Sequence, residues 1–584
     1  MWLIDAYRHD DKVVLWYNDG KNVRIEKPYS MDIYLDREAE PILRKNRIWY
    51  DIVDAISYMH DKLQVCRIRL DRVSNYERFV RYLERLTKHR VRMYNADIKP
   101  EQMYLYQNNL TPFVDPETDA QVRLKVMHLH AGKTIEADGR SFRTDKPSLQ
   151  AFISYFIAAD PDCIIMPHAF SELPKIVQIL QKHGLSCPFH RWDAIPIRYR
   201  GGKSFFSYGT VRYQDYAIRL HGRLLIDSST PMGESDVEAI MEMAELSGMC
   251  LQQVASRSFG AVFQAALVRE LVQDGCIVPH KHKPIDKEFS LLEMVKADRV
   301  GHTYDAKVGF HKNVAEIDFS SMFPWLIHNH NISAETLLSD AGPFELVPGI
   351  PIRISRRYQG YVARAIKPFI ERRMHYKKHP TKRNRKRSAG LKWVLVSSYG
   401  YLRFREFKLG IPSSHMAIGA YAREILLSSA ELAEAKGFSV VHGIVDSLYL
   451  TKPGITEEDV RALCKDIEYH AGIPVSFEGI FRWVTFLPSI NNSKRPLPSR
   501  YYGVFQNGDI KARGIEVRQR NTPRIVKDFQ GKALTDMGQC DTVAQIRARL
   551  GAYCRMIRGL CTTLSTYDAE ELMIRMRIGK TEYR

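Results

Sequence analysis

No stretch of the 584-residue sequence comes near the roughly 20 consecutive apolar residues that a membrane-crossing helix needs. The amino terminus, MWLIDAYRHDDKVV, carries charges where a signal peptide needs its apolar segment, which argues against export. Cysteine is scarce. Nine are scattered without a Cys-x-x-Cys pair, which points to reduced thiols in a cytoplasmic protein and away from a cysteine-built structural zinc site. No GxxxxGK[ST] loop is present, which counts against an ATP-driven motor. Internal repeats and low-complexity tracts are absent as well.

Positive charge is what the chain has in excess. Lysine and arginine number 86 against 67 acidic residues, a net of +19. Such a surface suits a polyanion, because each neutralised phosphate releases condensed counterions. Charge alone does not separate DNA, RNA and an acidic membrane. The length exceeds what one core supports, so several domains are expected.

Residues 1 to about 115 read as β-rich, with alternating stretches such as KVVLWY and QVCRIRL. From 116 to 275 strands alternate with helical patterns, and Gly184 is placed to end one helix. ESDVEAIMEMAELSGMCLQQVA follows with strong 3.6-residue periodicity. Residues 310 to 335 read as strand, turn and helix, with Pro324 in the first helical turn. Residues 361 to 400 read as two helices broken at Pro380, and 401 to 486 as mixed α/β. A strand pair turned at Asn507-Gly508 and an amphipathic helix from about Thr542 complete the pattern.

Two aspartates stand out by position. Asp318 ends an apolar strand in NVAEIDFSSMFP, and Asp446 sits at a hairpin tip in VVHGIVDSLYL. Either one alone is well explained as a turn-capping residue. Brought together, they make an oxygen-rich site for Mg²⁺, and two ions about 4 Å apart suit in-line phosphoryl displacement. Between them lies a cationic segment. From Glu371 to Lys392, ten of 22 residues are Lys or Arg. Arg373 and Lys377 share one helix face, and Arg385, Ala389, Lys392 and Val396 form a stripe at helical spacing. A cationic face suits a triphosphate, and a solvated hairpin that binds nucleic-acid backbone without catalysis is the equal alternative. The pairs His128/His130, His280/His282 and His328/His330 lack a third ligand at helpful spacing and read as structural or nucleic-acid contacts rather than zinc sites.

These residues resemble family B DNA polymerases. DFSSMFP (318 to 324) is similar to the first palm motif, KWVLVSSYG (392 to 400) to the fingers motif and HGIVDSLYL to the second palm motif, in the family's order. NISAETL, ERRMHYKK, RGIEVRQRN and YNADIKPEQMYLYQNNLTPF extend the similarity over nearly the whole chain. The resemblance implies a multidomain α/β and α+β right-hand architecture. It is expected to open with an N-terminal domain (1–115) and an RNase H-like exonuclease domain without activity (116–275). A first palm segment (276–360), fingers (361–400) and a second palm segment (401–486) follow. A thumb, shortened or completed by a second polypeptide, occupies 487–584.

The same resemblance assigns Asp318 and Asp446 as metal-binding catalytic residues for two Mg²⁺, with Mn²⁺ as a substitute. It assigns Arg373, Lys377, Lys392, Ser321, Phe323 and Tyr399 to the incoming nucleotide. The Phe323 ring stands where the family excludes a ribose 2′-hydroxyl, and Arg500 and Tyr501 stand where it holds the duplex. Departures are informative. Ile444 replaces the first aspartate of the second palm motif, and Val396 replaces the fingers asparagine. At the exonuclease motifs His130, Gly132, Ser171 and Met232 stand in place of the catalytic acids and tyrosine, leaving Asp236. One carboxylate does not build a two-metal nuclease.

The combination resembles the divergent second branch of archaeal B-type polymerases. It implies a DNA polymerase without proofreading, in repair or lesion bypass, acting on primer-template DNA and dNTPs in the nucleoid, with a sliding clamp as a further partner and no membrane. A polymerase-shaped DNA-binding or assembly factor with weak or absent catalysis is the rival reading, and template-free extension is the third.

Overall fold

The computed structural model describes residues 2–113, 124–193, 195–197, 203–207, 210–214, 218–404 and 406–574. The terminal IGKTEYR therefore lies outside the described residues. The chain folds into two compact units. The first comprises Met1–Glu288, Ile327–Leu346 and Ile352–His415, and the second Phe289–Leu326, Val347–Pro351 and Met416–Arg584. Among the described residues no helix is long and apolar enough to cross a membrane.

The first unit begins with a three-stranded antiparallel sheet, Trp2–His9, Lys12–Asn18 and Asn22–Pro28. A five-stranded sheet follows downstream, in the order Arg140–Phe142, Ile135–Ala137, Val126–Ala131, Cys163–Met166, Leu224–Asp227. In chain order this is 3-2-1-4-5, with the first, fourth and fifth strands parallel, the arrangement of an RNase H-like fold. Its core is aromatic. Phe152, Phe156 and Phe189 are fully buried against Met127, Leu129 and Ile164, each ring contributing about 2–3 kcal/mol on burial.

The periodic stretch 234–255 forms two helices. Val237–Ser247 ends at Gly248, whose φ of +64° closes the helix in the left-handed region, and Leu251–Ala255 follows. Asp236 caps the longer helix by accepting from the Glu238 N–H at 3.1 Å. The basic hairpin forms as expected from Tyr361–Lys378 and Lys382–Tyr401. Pro380 cannot continue a helix, and Thr381 restarts one by accepting from the Asn384 N–H at 3.1 Å.

The second unit is built on a seven-stranded sheet. Its order is Thr303–Tyr304, Ser439–Ile444, Ser447–Thr451, Gly309–Phe319, Val475–Pro488, Pro496–Phe505, Ile510–Arg513. Every neighbouring pair is antiparallel. Val314, Val441, Tyr449, Phe481, Val484 and Phe486 pack its interior. The last strand pair joins through four residues, 506–509, instead of a two-residue Asn507-Gly508 turn, because only Gly508 takes positive φ and a two-residue type I′ turn needs it twice. The helix Val543–Thr562 starts at Thr542 through a capping box with Gln545.

Candidate active site and its acidic counterpart

The strand Gly309–Phe319 pairs with Ser447–Thr451 in a register that sets Asp318 opposite Ser447. Asp446 is the residue before Ser447, so the two aspartates stand side by side at one end of the sheet. The backbone ties them together, the Phe319 N–H donating to the Asp446 carbonyl at 2.8 Å. Val445 and Asp446 form the two-residue tip between Ile444 and Ser447. Val445 holds φ at +52°, an uncommon state for a β-branched residue. Its N–H donates to the His302 carbonyl at 2.9 Å. A Cβ on Gly301 would come within 2.8 Å of a Val445 methyl, so that glycine makes room for the strained tip.

The carboxylates crowd one another. Ser447 Oγ donates to Asp318 Oδ2 at 2.8 Å and fixes its rotamer. Burial, then the charges of Asp446, Glu478 and Glu316, push the Asp318 carboxyl up to about 6. Asp446 is exposed at the tip, yet the protein packed around it also raises its pKa. Among the described residues no lysine or arginine is ion-paired with either aspartate. Oxygen-only donors with unrelieved repulsion fit a hard divalent cation such as Mg²⁺.

Sequence reasoning passed over Glu478 and the two serines. The Ser476 hydroxyl, 3.2 Å from the Asp318 carbonyl, donates to Glu478 Oε1 at 2.9 Å. The alternation Ser476-Phe477-Glu478 on a strand beside Asp318 is the signal, invisible until the pairing is known. Glu316 is the buried member of the group, receiving Lys511 Nζ at 2.5 Å and the Tyr449 hydroxyl at 2.7 Å.

The other expected site residues are placed as follows. Ser321 takes φ +59° at the turn, and Phe323, half-buried, lies in the first turn of Met322–Asn329 with Pro324. Arg500 is half-buried on the strand Pro496–Phe505. Tyr501, only 3% exposed, donates to the Tyr449 hydroxyl at 2.5 Å, and burial pushes its pKa up to about 12. Adjacent strand residues face opposite ways, and the Tyr501 ring packs in the sheet's core while Arg500 faces away from it.

Arg373, Lys377, Lys392 and Tyr399 belong to the first unit. The hairpin divides its cations by face. Arg385, Ala389, Lys392 and Val396 are all exposed along one stripe of Lys382–Tyr401. The opposite face packs on the helix Val237–Ser247, where a Cβ on Gly390 would meet the Ala239 Cβ at 2.6 Å. There Arg372 pairs with Glu242 and Glu245, both at 2.9 Å, Arg383 with Glu238 at 2.6 Å, and Lys386 with Asp236 at 2.6 Å. Arg387 reaches Glu238 at 3.4 Å and Glu242 at 3.6 Å. At least four of the ten cations are thus engaged by acids of the same unit. Tyr399 stacks on His415 with ring centroids 4.0 Å apart.

At the nuclease-like sheet a cleft of about 900 Å³ is lined by His128, His130, Glu136, Asp138, Glu234, Asp236 and Lys386 among others. His128 and His130, two apart on one strand, share the face that opens into it. Gly132 follows the strand, its N–H donating to the Thr134 carbonyl at 3.0 Å. Ser171 donates to the His168 carbonyl at 3.0 Å, and Met232 is buried. The remaining HxH pairs are structural: His280 Nε2 lies 2.8 Å from Glu84, and His330 Nδ1 lies 2.8 Å from Glu345.

Over 98% of its length the chain has the fold of the family B DNA polymerase from the hyperthermophilic archaeon Pyrobaculum calidifontis, with a TM-score of 0.70, 17% identity and 88% of that chain covered. The class is therefore a multidomain polymerase fold. Residues 251–582 match the model of DNA polymerase family B, and the chain belongs to that family. Relatives include DNA polymerase 2 of Saccharolobus solfataricus, 29% identical over 311 residues, covering 53% of this chain and 46% of that one. DNA polymerase 2 of Aeropyrum pernix is 24% identical over 329 residues, covering 54% and 38%. The chain thus spans less than half the length of these two relatives.

Proposed function

We propose that the chain is a DNA-templated DNA polymerase without 3′-5′ proofreading. The observation that carries this reading is the pairing of Asp318 with Asp446 at one sheet end, with repulsion that no described cation relieves. Asp318 and Asp446 would hold the metal, with Ser447 orienting the first carboxylate. Two bound Mg²⁺, or Mn²⁺ in their stead, would supply activation of the primer 3′-hydroxyl and neutralisation of the pyrophosphate leaving group.

Arg373, Lys377 and Lys392 offset the triphosphate charge, and the exposed stripe of Lys392 supports that assignment. Ser321 and Phe323 border the sugar, the ring excluding a 2′-hydroxyl, and Tyr399 lies near the nascent pair. Arg500 contacts the duplex backbone. His130, Gly132, Ser171 and Met232 stand where the family's nuclease has its catalytic acids and tyrosine, while Asp236, at the cleft, is already engaged as a helix cap and as the partner of Lys386. We read the domains with the boundaries given above, the substrates as primer-template DNA and dNTPs, the setting as repair or lesion bypass in the nucleoid, and a sliding clamp as partner.

Primer extension with Mg²⁺ and dNTPs tests the proposal, with Asp318→Asn and Asp446→Asn alongside. Templated extension lost in both variants supports it. Binding of primer-template without extension, even with Mn²⁺, would favour the rival DNA-binding factor, for which Ile444 and Val396 are the supporting departures.

A further inference from the structure

Three metal-ligating side chains from distant regions of the first unit meet beside the amino-terminal sheet. His9 ends the strand Trp2–His9, Asp193 follows the core residue Phe189, and His221 precedes Gly222. His221 Nδ1 lies 3.0 Å from Asp193 Oδ2, and His9 Nε2 lies 3.6 Å from Asp193 Oδ1. One ligand atom from each falls within 4.8 Å of the other two. A tetrahedral zinc ion with bonds of about 2.1 Å holds its nitrogen and oxygen ligands about 3.4 Å apart. The three donors are therefore close to a coordination triangle before any ion is considered.

Their surroundings hold them in place. The three side chains are 27%, 14% and 8% exposed for His9, Asp193 and His221, so water reaches the group from the His9 side. The His221 ring is wedged between Tyr7, with centroids 4.3 Å apart, and His190, 5.5 Å apart, while its backbone N–H donates to His190 Nδ1 at 3.0 Å. Gly222 takes φ +76°, and a Cβ there would strike the Trp192 ring at 2.5 Å, which keeps the turn carrying His221 tight.

Arg24 competes for the carboxylate, its Nη1 lying 2.5 Å from Asp193 Oδ1. It has a second partner, Glu26 Oε1 at 2.5 Å from Nη2, and keeps it when Asp193 turns to an ion. On the open side Asp10 Oδ2 lies 3.7 Å from His9 Nε2 and offers a fourth donor. Two imidazoles with a carboxylate are a donor set for zinc-class transition ions, whereas Mg²⁺ prefers oxygen alone.

We infer that His9, Asp193 and His221 form a binding site for a divalent ion of the zinc class, which fastens the first strand of the chain to the flank of the nuclease-like core. It shares no residue with the Asp318/Asp446 pair, and its existence does not depend on polymerase activity.

The test is a Co²⁺ titration of the metal-stripped full chain followed by visible absorption, with Zn²⁺ calorimetry and melting temperature in parallel. One equivalent is expected, with a tetrahedral ligand-field band and no thiolate charge-transfer band. The signal should survive Asp318→Asn combined with Asp446→Asn. His9→Gln, at a partly exposed strand end where the fold tolerates change, should weaken affinity at least about tenfold and remove the Zn²⁺-induced rise in melting temperature. Asp193→Asn should do the same, and circular dichroism of both variants checks their folding. A Co²⁺ spectrum that His9→Gln leaves unchanged, a thiolate band, or no uptake at one equivalent would overturn the proposal.

Discussion

Two acidic groups in this molecule carry similar residues and bear opposite electrostatic loads. At the sheet end of the second unit, Asp318, Asp446 and Glu478 face one another, and Asp318 is driven up to about 6. On the helix of the first unit, Asp236, Glu238, Glu242 and Glu245 face arginines and a lysine of the basic hairpin at 2.6–3.6 Å. The lesson is that an acid's neighbours, and not its presence, decide whether it is available to a metal. Unrelieved repulsion stores a demand for a cation; acids already paired with arginine and lysine have less of it left.

The largest effect expected from breaking this contrast is catalytic. Asp318→Asn or Asp446→Asn should lower primer extension by about a thousandfold or more while primer-template affinity, measured by anisotropy, stays within a few fold. Next comes the division of the cations. Lys392→Ala should cut kcat/KM for the dNTP by roughly 30- to 100-fold, the loss of one charge-assisted hydrogen bond. Lys386→Ala, on the clasped face, should leave that ratio unchanged; equal losses in the two variants would erase the distinction between the faces.

A smaller effect is structural. Glu242 is 2% exposed and serves both Arg372 and Arg387, which keep Glu245 and Glu238 as their other partners, so Glu242→Gln should cost only about 2 kcal/mol in urea unfolding, the loss of a charge-assisted contact. Hydrogen exchange along Lys382–Tyr401 should quicken in the same variant.

Smaller again is the pH dependence of the metal-free fold. Folding raises the Asp318 pKa from 3.8 to about 6, so the folded state holds that proton more tightly than the unfolded state. Its stabilisation is full below about pH 4 and is lost as pH rises through 6. Asp318→Asn escapes that loss, so without metal it should melt higher than wild type at pH 8, by about 2 kcal/mol, and equally at pH 4. Added Mg²⁺ should narrow the gap by stabilising wild type alone. The smallest effect is none: His130→Ala should change no nuclease assay, because no 3′-end degradation is expected from either protein.

Much of this was legible in the chain. The strand-end aspartate, the hairpin aspartate, the Pro380 break and the Thr542 helix start are local features, set by alternation, turn chemistry and capping within a few residues. Motif order carried the resemblance, and the family match bore it out. What sequence did not reveal were relations across chain distance. Tyr501, set by the resemblance where the family holds the duplex, is a buried link to Tyr449 and Glu316. Gly248 divides a helix that periodicity alone runs through, because one residue's left-handed turn leaves the hydrophobic spacing intact.

Hydrophobic period, caps and breakers act within a few residues, so the elements and the carboxylates at their ends were written into the chain. Partners were settled only in three dimensions. Register set Asp318 opposite Ser447 and so beside Asp446, and helix packing gave Glu238 and Glu242 their arginines. Coulomb energy depends on separation in space, and separation along the chain does not fix it.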